Sequence, residues 1–337
     1  YWRDWSSDVC SSDLNNLTWF LLIVLTVVSY GQGSLHRPIS TYSIVALDPE
    51  TKELGVAVQS HWFSVGSVVP WAKAGVGAVA TQSLAKIEYG PEGLLLMEEG
   101  KTAQESLDIL LAQDEGAKYR QVGMVDFQGN VASHTGSNCM DFAGFQKGKN
   151  YTVQANIMAK PTVWSAMAEA FESAEGDLAE RMMQSLEAAE REGGDLRGRQ
   201  SAAMLIVTGE PTGVLWKDIS LELRIEDHPE PLIQLRRLIQ IHRAYEHANK
   251  GDLFLSEKNM EAALKEYNAA AAAYPENPEL PYWTAVTLAS TGEMEKALPL
   301  FKDVFERNPN LKTMTPAVAK SGFLPLDDQT LKLIMSQ

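Results

Sequence analysis

The chain has 337 residues, 45% of them apolar and 22% charged, enough for two folded units and a core that needs no staples. Its net charge of −15, from 29 basic against 44 acidic residues, argues against nucleic acid or anionic lipid as the main partner and permits a cationic substrate. Cys10 and Cys139 are the only cysteines and the six histidines are scattered, so no disulfide framework, zinc knuckle or redox pair is spelled, and neither metal nor cofactor is expected.

Residues 1–14, YWRDWSSDVCSSDL, have neither helical nor strand period and resemble a translated sequencing adapter. This stretch is set aside as non-native, and Cys10 goes with it. Residues 15–31 are expected to be a signal peptide. Their apolar run, 17–28, is short for a membrane span, and Ser29-Tyr30-Gly31 puts small residues at −3 and −1 of a cut before Gln32. Export to the periplasm or the medium follows, with no stable membrane anchor after cleavage.

A first folded unit is expected over 41–228. Strands at 42–47 and 54–59 around Asp48-Pro49-Glu50-Thr51 form a hairpin, and 65–69 and 76–81 supply further strand-like runs. Helices follow at 91–99, opening on a proline and stopping at Gly100, and at 102–112 behind a Thr cap. Strands at 121–126 and 131–135 flank a Gly-Asn turn, and 151–158 is another strand. Helices at 161–173 and 178–192 precede an apolar strand at 201–207 and an alternating one at 221–225. Hairpins at both ends with helices between them predict an α+β fold of antiparallel sheets covered by helices, not a parallel βαβ array.

From 231 to 337 the chain is expected to be a small all-α tail. Ala263, Leu264, Tyr267 and Pro275 recur 34 residues later as Ala297, Leu298, Phe301 and Pro309, and Gly251 matches Ala285. That is the tetratricopeptide period, although the first-helix positions of the pattern are poorly kept. Two such repeats bury little alone, so they are expected to lean on a helix at 231–249 and a closing helix at 327–335.

No P-loop, H-E-x-x-H, G-x-S-x-G or C-x-x-C motif occurs. The informative segments are Ser40-Thr41-Tyr42-Ser43-Ile44-Val45-Ala46, Ala80-Thr81-Gln82-Ser83 and Gly193-Gly194-Asp195-Leu196-Arg197-Gly198-Arg199-Gln200-Ser201-Ala202. Together they resemble the family catalogued as domain of unknown function 1028, of the Ntn-hydrolase-like superfamily, over about 41–225. The resemblance implies a four-layer αββα sandwich of two antiparallel sheets. Cytosolic relatives open on Met-Thr-Phe-Ser, which matches Thr41 to the residue exposed when Met is removed. Such a threonine carries its own general base in its α-amine and can attack an amide.

The departure is that cleavage before Gln32 leaves residues 32–40 ahead of Thr41, so a second cut is needed to free that amine. Ser43, two residues on and on the same strand face, is the alternative nucleophile. Lys73 is a second catalytic candidate by likeness to proteasome-type sites, against a solvated lysine at a strand edge. Asn156 is an oxyanion-donor candidate, against a buried amide that satisfies backbone. Thr81, Gln82 and Ser83 end a strand and are cleft candidates. Asp195, Arg197 and Arg199 either clamp a substrate carboxylate or pin their own loop. Two functions remain open: a secreted amide hydrolase acting on a small amide or peptide, and a non-catalytic cell-envelope scaffold whose repeats hold a protein partner.

Overall fold

The computed structural model describes residues 41–337; the adapter-like stretch, the expected signal peptide and the segment up to Ser40 lie outside the described residues. Strand β1 (Thr41–Leu47) turns back through Asp48 into β2 (Leu54–Ser60), with Thr41 opposite Ser60. The Asp48 carboxylate accepts from the Glu50 and Thr51 amides at 2.8 and 3.1 Å, which fixes that turn. β3 (Pro70–Lys73) and β4 (Gly77–Ser83) form a second hairpin.

The run 65–69 is not a strand. Ser64 takes a left-handed φ of 56°, Val65–Ser67 is a 3-10 turn, and the Val65 amide is held by the Ser201 hydroxyl at 3.2 Å. Its valines still fill the core, so burial rather than pairing explains their apolar character.

Helix α1 (Tyr89–Glu98) begins two residues earlier than its proline suggests. Pro91 is tolerated because first-turn amides have no partner within the helix. α2 (Ala103–Ala112) starts on a full capping box between Thr102 and Glu105. Strands β5 (Arg120–Asp126) and β6 (Val131–Thr135) follow. Then come β7 (Gly144–Gly148), a strand without an apolar signature, and β8 (Tyr151–Asn156). Helices α3 (Val163–Ser173) and α4 (Leu178–Arg191) lead to β9 (Ser201–Val207) and β10 (Ile219–Ile225).

The strands make a six-stranded sheet, β10-β9-β2-β1-β8-β7, and a four-stranded sheet, β3-β4-β5-β6, with every pair antiparallel. The sheets face each other across Val45, Leu47, Val56, Val58, Ala78, Ala80 and Val125. Helices α3 and α4 cover the outer face of the larger sheet, and α1 and α2 that of the smaller. The order is therefore the expected αββα. β1 is central in its sheet and Thr41 opens it.

The tail is six helices: α5 (Pro231–Ser256), α6 (Met260–Ala273), α7 (Glu279–Ser290), α8 (Met294–Arg307), α9 (Pro309–Lys320) and α10 (Asp328–Met335). α5 runs beyond 249, straight through Gly251. A Cβ there would lie 2.5 Å from the Tyr267 ring, so this glycine is a contact between helices rather than a helix end. Tyr267 and Phe301 occupy matching buried places, as do Ala263 and Ala297. Pro309 both follows α8 and opens α9, a helix that the repeat pattern alone did not reveal.

Leu232, Leu235 and Ile239 on α5 close the core beneath α3 and α4. Arg236 joins the same contact, bonding Glu180 at 3.1 Å and Glu187 at 2.6 Å. Burial pushes the Glu180 carboxyl up, but hydrogen bonds from Gln184 and Arg236 outweigh it and hold the pKa below the usual range. A depressed pKa contributes stability that is present above the unfolded value of about 4.3 and lost as pH falls through the folded one. Arg236→Met should cost about 1 kcal/mol at pH 7, a partly exposed pair being screened, and should flatten the acid limb of stability. Urea unfolding at pH 7 and at pH 4 checks both.

A candidate active site between the sheets

The inward faces of the strands are apolar except at one end, where they carry hydroxyls and carboxamides. By alternation Thr41, Ser43 and Ser60 point from the large sheet toward Gln82 and Gln121 of the small one. All five are buried, as are Gln154 and Asn156 on β8. The Thr41 hydroxyl donates to Ser60 Oγ at 3.2 Å. Ser43 donates to Gln82 Oε1 and accepts from Gln154 Nε2, both at 2.6 Å. Gln82 Nε2 donates to Gln121 Oε1 at 2.7 Å and to the Thr41 carbonyl at 3.3 Å. Asn156 Nδ2 reaches the same two acceptors at 2.8 and 3.4 Å.

Gln121 is the hub of this band. Its own amide donates to the Ala155 carbonyl at 2.9 Å, to Thr135 Oγ1 at 2.9 Å and to the Gly144 carbonyl at 3.3 Å. Gly123 makes room for the crossing, since a Cβ there would lie 2.3 Å from Gln154 Oε1. Thr135 and Gly144 also line an open pocket of about 540 Å³ bounded by Cys139, Asp141, Phe142 and Trp164. Gln121 thus bonds both to the pocket wall and to the groups around Thr41.

Two residues beside the band have strained backbones. Ser83, after Gln82, has φ of 69°, and Ile157, after Asn156, has φ of 57°, a rare value for a β-branched residue. Phe142 in the pocket wall, at 55°, is a third. The Gly193–Ser201 segment supplies the restraint. Leu196 N donates to Ile157 O at 3.1 Å, Ala159 N to Gly194 O at 3.0 Å, and Gln200 N to Ser60 O at 3.1 Å. This glycine-rich loop therefore clamps the strand ends that carry Asn156 and Ser60. Gly193 and Gly198, at φ of 115° and 107°, take backbone shapes that side chains resist.

Of the residues singled out in the sequence, Thr41, Ser43, Gln82 and Asn156 come together. Lys73 does not: it pairs with Gly77, at the end of β4 opposite Gln82, and its ammonium meets Glu98 at 2.6 Å on the surface. Thr81 has the parity of Val79, facing α1 and α2, and its hydroxyl caps the Lys86 carbonyl at 3.1 Å. Ser83 bonds the Cys139 thiol, whose pKa burial nevertheless raises. Asp195 accepts from the Arg197 amide at 2.9 Å, its guanidinium at 3.0 Å and the His61 amide at 3.1 Å, which is the loop-pinning arrangement. Arg199 joins Glu190 at 2.7 Å and also Glu230. Burial would lower the Arg199 pKa, but the two carboxylates raise it, so the guanidinium is engaged at the helix layer.

Ser60, Gln121 and Gln154 were missed. The available signal was a polar residue at core-facing parity in an otherwise apolar strand. Among the described residues, the partners of Ser43, Gln82 and Gln121 are hydroxyls, carboxamides and backbone carbonyls, and no three metal-ligating side chains converge anywhere.

An αββα sandwich with a polar band where the central strand begins defines the class of protein. The chain belongs to the family of unknown function DUF1028, whose model matches residues 41–235. It is similar to the solved structure of protein SPO2555 from Silicibacter pomeroyi, of the same family. The identity is 31%, over 60% of this chain and 88% of that one, with a TM-score of 0.54. No curated protein matches the chain significantly. The family match ends within α5, at the turns that close the sandwich core.

Replacing Gln121 with leucine would leave the buried Gln82 and Asn156 amides without their shared acceptor. A loss of about 3 kcal/mol is expected, from two buried donors at about 1–3 kcal/mol each. Chemical denaturation measures it, and a loss under about 1 kcal/mol would mean that water replaces the hub.

Proposed function

We propose that the protein is an exported amide hydrolase of the N-terminal nucleophile type, activated by a cut between Ser40 and Thr41. The observation that carries this reading is the position of Thr41. It opens the central strand, its hydroxyl meets Ser60, and two carboxamide donors converge on its carbonyl. Among the described residues, the partners of Ser43, Gln82 and Gln121 are hydroxyls, carboxamides and backbone carbonyls, and Lys73 lies at the far end of its hairpin. A threonine that heads the chain brings its own base in its α-amine.

After the cut, the neutral amine takes the hydroxyl proton and Oγ1 bonds to the substrate carbonyl carbon. The oxyanion that forms would be held by carboxamide donors such as Asn156 Nδ2. Collapse breaks the C–N bond, and the amine leaves with the proton that Thr41 held. Water, deprotonated by the same amine, then attacks the Thr41 ester and releases the acid, restoring the hydroxyl. The Asp141 pocket beside Gln121 is the route by which substrate would approach. Its single carboxylate suits a small neutral or cationic amide, or a peptide.

On processed protein and a panel of chromogenic anilides and cell-wall peptides, Thr41→Ala should lower kcat/KM at least about a thousand-fold. Ser43→Ala should keep activity within about ten-fold. The rate should climb as pH rises through about 7.7–8.0, where the amine loses its proton, and vanish below. Equal activity in Thr41→Ala would remove the mechanism and move the nucleophile to a residue such as Ser43, whereas no activity in the processed wild type would leave the sandwich as a scaffold.

A further inference from the structure

The tail contains a cavity that none of the sandwich chemistry uses. It lies among α5, α6 and α7 and has a volume of about 490 Å³, within the range of small-ligand sites. The cavity follows from the sequence. Ala248 on α5 and Ala270 on α6 are too short to fill the space that Leu280, Trp283 and Val286 of α7 face. Gly251 lets the Tyr267 ring lie flat on α5, so the ring forms a wall instead of plugging the gap. Phe323, 70% exposed in the turn after α9, stands at the rim.

The lining is mostly apolar, with Asp252, Ser256, Thr287, Ser290 and the Tyr267 hydroxyl as its polar members. Tyr267 donates a hydrogen bond to Asp252 Oδ1 at 2.6 Å. Burial, then the Asp252 carboxylate, raises the Tyr267 pKa well above its ordinary value, so the phenol stays a donor at all physiological pH. Asp252 is the only charged residue of the lining, and no Lys, Arg or His among the described residues pairs with it. Asp252 is exposed at the mouth of the cavity and is oriented by the Tyr267 hydroxyl, an arrangement complementary to an apolar body that ends in an ammonium. Trp283 and Phe323 add aromatic faces that favour a cation.

We propose that this cavity is a binding site for small lipophilic amines, with the ammonium held by Asp252 and the apolar body enclosed between Ala270 and Trp283. The site is independent of Thr41 chemistry, and its test leaves the hydrolase reading untouched.

The test is calorimetric titration of the full chain with 4-phenylbutylamine, 4-phenylbutanol and 5-phenylpentanoate. One equivalent of the amine should bind at least about ten-fold more tightly than the alcohol, and the carboxylate should not bind. Asp252→Asn should erase the preference for amine over alcohol, and Tyr267→Phe should reduce it. Ala270→Leu and, at the rim, Ser290→Phe should abolish binding of both by filling the cavity. The second variant guards against misfolding of the first. The proposal is overturned if the three probes bind alike, if none binds at millimolar concentration, or if the filled variants still take the amine. It is equally overturned, in favour of a protein partner, if only a basic apolar peptide binds.

Discussion

The structure depends on one constraint: the carboxamides and hydroxyls enclosed between the two sheets have to satisfy one another. An unpaired buried amide costs about 1–3 kcal/mol, a large share of a domain's net stability. Strand register, the bare Gly123 and the inward parity of Gln82, Gln121 and Gln154 all serve that pairing. Sandwich cores are ordinarily filled with aliphatic side chains, as the other end of this one is. A polar band kept in place of valines specifies geometry at a cost in packing. That band lies where β1 begins, around Thr41.

The glycine-rich loop takes a different meaning from the one its arginines suggest. Its backbone is stitched to Ile157, Ala159 and Ser60, while Asp195 and Arg197 close on each other and Arg199 ties α4 to the start of α5. This glycine-rich stretch is thus a clamp on strand ends. It holds Asn156 and Ser60 beside Thr41 and keeps Ile157 in its strained conformation. In the structure these charged residues bond one another, the His61 amide and the helix layer.

Much of the layer order was legible in the sequence. The first hairpin, the helix caps and the apolar β9 each have local causes that read directly from residue order. Core-facing parity also placed Ser43 beside Thr41. What was not legible depends on partners distant in the chain. β7 has no apolar alternation because it is an edge strand defined by pairing with β8. The valines of 65–69 are apolar because they are buried, not because they pair. Lys73 stands at the same kind of strand position as a catalytic lysine, but the register of β3 on β4 carries it to the far end. In the tail, the 34-residue spacing located the paired aromatics. The cavity beside Tyr267 arises from small residues whose effect appears only when three helices meet.

The central claim is that Thr41 becomes the first residue of the working protein. N-terminal sequencing and intact mass of the chain exported from a bacterial host test it most directly. The account predicts a start at Thr41, which frees the amine at the head of β1. An active protein that starts at Gln32, with residues 32–40 still attached, would contradict it.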